Sequence, residues 1–147
     1  MKRLFMIFFI LIALAACNSS SNDENASSEA NADIAKLRWD TSGGGDLHFT
    51  VIPVGDGYGV DVSSYDFHDV SKSLKITPQN SEVFSTVDGI FKGIHDIKKD
   101  TFIPKGETGT WTSITMTYSD NREEKIENID STGNLALIYD FVAEGMK

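Results

Sequence analysis

The chain predicts an α+β domain, an antiparallel sheet of about six short strands with one amphipathic helix packed across one face. Three observations point there. Apolar residues alternate with polar ones over short segments, as Leu47, Phe49 and Val51 do with His48 and Thr50. Gly55-Asp56-Gly57 is a hairpin signal, because glycine and aspartate tolerate the positive φ of a tight turn. The apolar period then changes from two to three and four at Val83, Phe84, Val87, Ile90, Phe91 and Ile94, which is a helical stripe.

Residues 1–16 precede that domain and have a different character. Lys2 and Arg3 lead into 13 apolar residues, Leu4 to Ala16, and small residues stand just before Cys17. A charged start, a short apolar run and a small-residue exit describe a secretory signal. The run is shorter than the ~20 residues that span a bilayer. Leu14-Ala15-Ala16-Cys17 resembles the lipobox of bacterial lipoproteins. The resemblance implies that the Cys17 thiol takes a diacylglyceryl group, that the signal is cut before Cys17, and that the new amino group is acylated too, with palmitate among the acyl chains. Its membrane partner is then reached through the lipid, since two or more chains anchor stably where one does not. Asn18, in place of aspartate, points to the outer membrane facing the periplasm in a Gram-negative host.

Residues 17–33 read as the lipidated cysteine and a flexible tether. Asn18 to Asp33 hold no large apolar side chain, so they cannot bury enough surface to offset their ordering entropy. Residues 34–147 read as the single domain. Loss of Lys2 and Arg3 from 13 basic residues leaves 11 against 22 acidic ones, a net charge of −11. That charge repels nucleic acid and steers a basic partner. Cys17 is the only cysteine, so the domain stands without an internal disulfide.

Within the domain, Ala35, Leu37 and Trp39 alternate with Lys36 and Arg38, with Trp39 in the core. Gly43-Gly44-Gly45 turns the chain into the Leu47–Val51 segment. Tyr58, Val60 and Val62 follow the hairpin and complete a three-stranded meander. Leu74 and Ile76 give a brief edge strand. Thr77 is the expected helix N-cap, with Pro78 at the first helical position. Gly89 and Gly93 each weaken that helix by up to ~1 kcal/mol relative to alanine. Lys105 to Gly109 form a polar loop before a clean alternation. Thr112, Ile114, Met116 and Tyr118 take one face of that strand, and Trp111, Ser113, Thr115 and Thr117 the other. Ser119 to Arg122 turn the chain, and Lys125 to Ile129 return it. After Thr132-Gly133-Asn134, the segment Leu135 to Val142 is apolar on both faces. It reads as a closing strand, with a short helix as the alternative.

The residues assemble no catalytic motif. Gly-x-Ser-x-Gly is absent, and a lipidated Cys17 leaves no thiol nucleophile. His68-Asp69 and His95-Asp96 are His-Asp pairs among only three histidines, His48 being expected at the solvent face. Metal binding needs three or four convergent donors, so neither a metal nor another cofactor is expected. Asp130 to Asn134 and Asp120 to Glu124 lack the register of a calcium loop and read as turns. The glycines at 43–45 precede no helix, which argues against a phosphate cradle.

A binding face is the better expectation. Trp111 and Thr115 lie on a strand face lined with hydroxyls, the pattern of an aromatic anchor among adaptable polar groups. Tyr65 and Phe67 form a second candidate, an aromatic loop beside His68. Gly109 to Thr117, with its polar turn and returning strand, resembles the C-terminal hairpin of YezG-type immunity proteins. Those are small α+β proteins that neutralise a neighbouring cell's toxin. The expected function is therefore a non-enzymatic lipoprotein that binds another envelope protein, as an inhibitor or immunity protein. An assembly accessory of an envelope complex is the alternative, and a hydrolase with carboxylates scattered in sequence is a third. Lipidation is directly measurable. A clickable palmitate fed to producing cells should label the wild-type chain, whereas Cys17→Ala should stay unlabelled and leave the membrane fraction.

Overall fold

The alternation that begins at Ile34 becomes a six-stranded sheet in the structure, a computed structural model that describes residues 33–42, 46–66, 68–99, 111–129 and 134–147. Cys17, the expected signal, the expected tether apart from Asp33, Phe67, the 43–45 glycines and the expected 105–109 loop lie outside these residues. The strands are β1 (Ile34–Ser42), β2 (Leu47–Val54), β3 (Gly57–Tyr65), β4 (His68–Ile76), β5 (Trp111–Tyr118) and β6 (Glu123–Ile129). Two helices, α1 (Ser81–Phe91) and α2 (Asn134–Met146), and a short 3-10 turn (Ile97–Lys99) complete the described elements. The sheet order is β4-β3-β2-β1-β5-β6, and every pairing is antiparallel. The expected α+β class and its antiparallel sheet are therefore present, with two helices rather than one.

Strand alternation sorts the side chains between two faces. Leu37, Trp39, Leu47, Phe49, Val51, Val60, Val62, Ile114 and Met116 are buried on the helix-covered face. Val87, Ile90 and Phe91 of α1 and Leu135, Ile138 and Val142 of α2 join the same core. The two helices pack on one another, and α2 reaches β3 and β4. Trp39 lies at the centre and is 0 % exposed. Its backbone pairs with Phe49 on one side and Ile114 on the other. Its ring stacks on Phe49 at 5.4 Å between centroids. A buried indole N–H needs an acceptor, and Thr41 Oγ1 takes it at 2.9 Å.

Four local expectations are corrected. The first concerns the edge strand, which is the nine-residue β4 and extends the meander to four strands. Next, α1 begins at Ser81 rather than after Thr77, and Pro78 lies in a turn. Thr77 N–H donates to Asn80 Oδ1 at 2.9 Å, while Asn80 N–H donates to the Thr77 carbonyl at 2.8 Å. That reciprocal turn consumes the groups a Thr77 cap would have used. Third, the helical stripe stops before Ile94, which is 79 % exposed. Gly93 adopts φ +68°, and Ile94 N–H reaches the Gly89 carbonyl while Gly93 N–H reaches that of Ile90, a Schellman ending.

The last correction is the closing segment, which is helical. Leu135, Ile138 and Val142 are buried at three- and four-residue spacings, while Asp140 and Glu144 stay exposed. A helix buries that stripe against a sheet face that α1 alone does not cover. Ile138→Ala should therefore destabilise the fold by about 2–5 kcal/mol, read by denaturant unfolding.

Candidate binding face

No helix covers the other face of the sheet among the described residues, and its side chains follow from the same alternation. His48 and Thr50 of β2, Arg38 and Asp40 of β1, and Ser113 and Thr115 of β5 all point there, because their neighbours in sequence point into the core. Asp40 pairs in register with His48 on one side and Ser113 on the other, and Arg38 pairs with Thr50 and Thr115.

Asp40 is the hub of this face and only 16 % exposed. The guanidinium of Arg38 donates to it through Nε and Nη2, both at 3.1 Å from Oδ1. The His48 ring meets Oδ1 through Nδ1 at 2.9 Å. A carboxylate only accepts, so Nδ1 carries the proton. His48 thus lies on the uncovered face, as expected, but half-buried against Asp40. A hydrolytic triad would need a hydroxyl beside the imidazole. Strand order instead puts Ser113 on the far side of Asp40, two strands away from His48. Ser63, nearer His48, donates its hydroxyl to the His48 backbone carbonyl at 3.2 Å.

The sequence candidates are not gathered in one place. Thr115 is half-buried on the uncovered face beside Arg38. Trp111 pairs through its backbone with Ser42 at the start of β5, and its side chain lies outside the described residues. Tyr65 pairs with Leu47, so it belongs to the helix-covered face and packs half-buried against the core. Ser113, expected as a surface hydroxyl, is buried. His68 opens β4, and His95 sits past the end of α1, far apart in topology. Among the described residues no group of three or more His, Cys, Asp or Glu could hold a metal ion.

Sequence reading missed the Arg38-Asp40-His48 cluster. Its signal was present in the hairpin: once Trp39 faces Phe49, Asp40 must face His48. It also missed a trough of about 420 Å³ on the uncovered face, lined by Ile52, Val54, Gly59, Asp61 and Lys75.

Two further polar clusters tie elements together. Tyr58 donates its hydroxyl to Asp88 Oδ1 at 3.0 Å, and Lys92 Nζ lies 2.7 Å from Asp88 Oδ2. Burial, then the bond to Asp88, pushes the Tyr58 hydroxyl well above the ordinary tyrosine value. The Lys92 bond holds Asp88 below its usual carboxylate value. At the opposite edge, Lys98 bonds Glu124, which also accepts from the Tyr118 hydroxyl at 2.9 Å. These contacts hold Glu124 low, Lys98 foremost. Arg122 lies 4.2 Å over the Tyr118 ring.

No family model, curated protein or solved structure matches the chain. The residues themselves therefore carry the functional argument.

Asp88 and Glu124 are depressed in the folded state. Their contribution is complete above the ordinary values of 3.8 and 4.5 and is lost as pH falls through the lower folded values. Asp88→Asn should flatten the acid limb of a stability–pH profile followed by urea unfolding. Tyr58→Phe should cost about 1.5 kcal/mol near neutral pH, since it removes a hydrogen bond to a charged acceptor.

Proposed function

We propose that this chain is a non-enzymatic lipoprotein, anchored through Cys17, whose domain binds another protein of the cell envelope. An inhibitor or immunity protein is the sharpest form of the reading, at the outer membrane facing the periplasm in a Gram-negative host. The observation that carries it is the division of the sheet: both helices lie on one face, and the other presents polar side chains on contiguous, hydrogen-bonded strands. Rigid strands hold such a surface at low entropic cost on association.

Charge supports a basic partner. The chain after Cys17 carries −11 by sequence, which favours encounter with a cationic surface. The tether would let the domain meet that partner near the bilayer: 16 residues reach roughly 20–24 Å as a coil. Asp40 is already neutralised by Arg38 and oriented against His48, so the centre of the face is ordered before a partner arrives. The lipobox supports the anchor independently of the binding reading.

The test is co-purification from cross-linked envelopes with the full-length chain. Thr115→Arg would place a third cation between Arg38 and Lys125, its register partners on either side. It should abolish a specific cross-link to a basic protein while thermal unfolding stays close to wild type. Trp111→Ala should weaken the same cross-link if the start of β5 belongs to the interface. A cross-link that survives Thr115→Arg unchanged moves the partner off this face.

A further inference from the structure

The uncovered face is not uniform. Its centre is self-paired through Arg38, Asp40 and His48, and the charges of the Tyr58-Asp88-Lys92 cluster on the opposite side are also paired. The β2–β3–β4 end is different. Gly59 faces outward on β3 and pairs with Ile52 on β2 and Lys75 on β4. Asp61, the next outward residue, pairs with Thr50 and Ser73. With no side chain at Gly59, backbone forms the floor of the 420 Å³ trough.

The walls of the trough differ in chemistry. A Cβ on Gly59 would stand 3.2 Å from Val54 Cγ2 and 3.6 Å from Ile52 Cγ1, so two apolar side chains lean over the floor. Val54 is 51 % exposed, one of the large apolar side chains that the described fold leaves in solvent. Lys75 borders the other side. Asp61 closes one end, with Ser73 Oγ donating to its Oδ1 at 2.6 Å, and Asp56 stands in the turn at the other end.

A glycine in a sheet is commonly covered by an aromatic ring from a neighbouring strand. Neither cross-strand neighbour of Gly59 is aromatic. The space, an apolar wall and a lysine beside it together suit a ring supplied from outside, with its face toward the cation. Two carboxylates against one ammonium, in a chain of net charge −11 after Cys17, select a cationic flank for that ring.

We propose that the Gly59 trough receives an aromatic side chain of the protein partner, with an adjacent lysine or arginine of that partner paired to Asp61. This rests on the protein-binding reading above and makes it specific: the partner presents an aromatic residue flanked by basic ones.

The test uses the full-length, isotope-labelled chain in nonionic detergent and the acetylated tripeptide amides Lys-Trp-Lys, Lys-Ala-Lys and Glu-Trp-Glu. Lys-Trp-Lys should shift the backbone amides of residues 57–61 and 73–77 saturably. The other two peptides should bind at least about fivefold more weakly. Asp61→Lys should weaken Lys-Trp-Lys by a similar factor. Gly59→Ala, which fills the floor, should do the same, and both variants should keep dispersed spectra. Equal binding of all three peptides, or shifts confined to residues around Arg38 and His48, overturns the proposal. So do shifts of the trough amides that follow chain concentration without peptide, which mark a second copy, or that follow only phosphatidylglycerol vesicles, which mark a lipid surface. Envelope capture separates the two readings. Capture lost on Thr115→Arg but kept by Asp61→Lys and Gly59→Ala leaves the protein-binding function standing and removes the trough. Peptide binding in the trough with no captured envelope protein keeps the aromatic site and removes the protein partner.

Discussion

The indole of Trp39 is the contact on which the arrangement of both faces depends. Its ring stacks on Phe49, and its nitrogen donates to Thr41, whose hydroxyl lies 3.4 Å from that of Thr112. These contacts join β1 to β2 and to β5 at the middle of the sheet. A slip of one residue would turn Trp39 outward and drive Arg38 into the core, which no ion pair there would offset. The register that buries Trp39 is the register that sets Asp40 beside His48. The polar cluster of the outer face is thus a consequence of apolar burial on the inner one.

Under the proposed function, the two faces divide stability from recognition. Helices α1 and α2 cover the apolar face, and their side chains complete a core built without any cysteine after residue 17. The outer face needs no apolar cover at its centre, because Arg38 and His48 satisfy Asp40. Toward β3 and β4, among the described residues, it carries apolar side chains beside Gly59, the exposed Val54 and the half-buried Ile52. An exposed apolar patch beside unpaired carboxylate capacity is a natural place for a partner to gain contact area. The proposed function therefore draws on a feature that contributes little to folding.

Legibility in the sequence followed burial. β1, β2, β3 and β5 alternate because each buries one face, and Leu37, Trp39, Leu47, Phe49, Val51, Val60, Val62, Ile114 and Met116 are buried as expected, whereas Ala35, at the register shift of β1 against β5, is exposed and Tyr118 is half-buried. β4 is an edge strand that buries little, so only Leu74 and Ile76 betrayed it, and its first residue, His68, read as part of an aromatic loop. The end of α1 depended on Gly93 adopting a positive φ, a backbone choice that competes with a continued stripe. The segment after Asn134 is apolar on most sides, so periodicity allowed strand or helix until the sheet supplied a face to cover. Of the candidate surface residues, Thr115 reached the outer face, whereas Tyr65 turned to the core.

By itself the sequence determined the alternation, hence which side chains share a face, and an acidic stretch without cysteine after the Leu14-Ala15-Ala16-Cys17 segment. Those properties are local, set by neighbours within a few residues, and they survive any placement of the strands. Tertiary structure decided which strands became neighbours. It put His48 and Ser113 on opposite sides of Asp40, brought Ile52 and Lys75 to the flanks of Gly59, and gave the last segment a surface on which helix outcompeted strand. Each of these is a contact between residues distant in the chain, and only the closing of a common core selects among the pairings that local pattern permits.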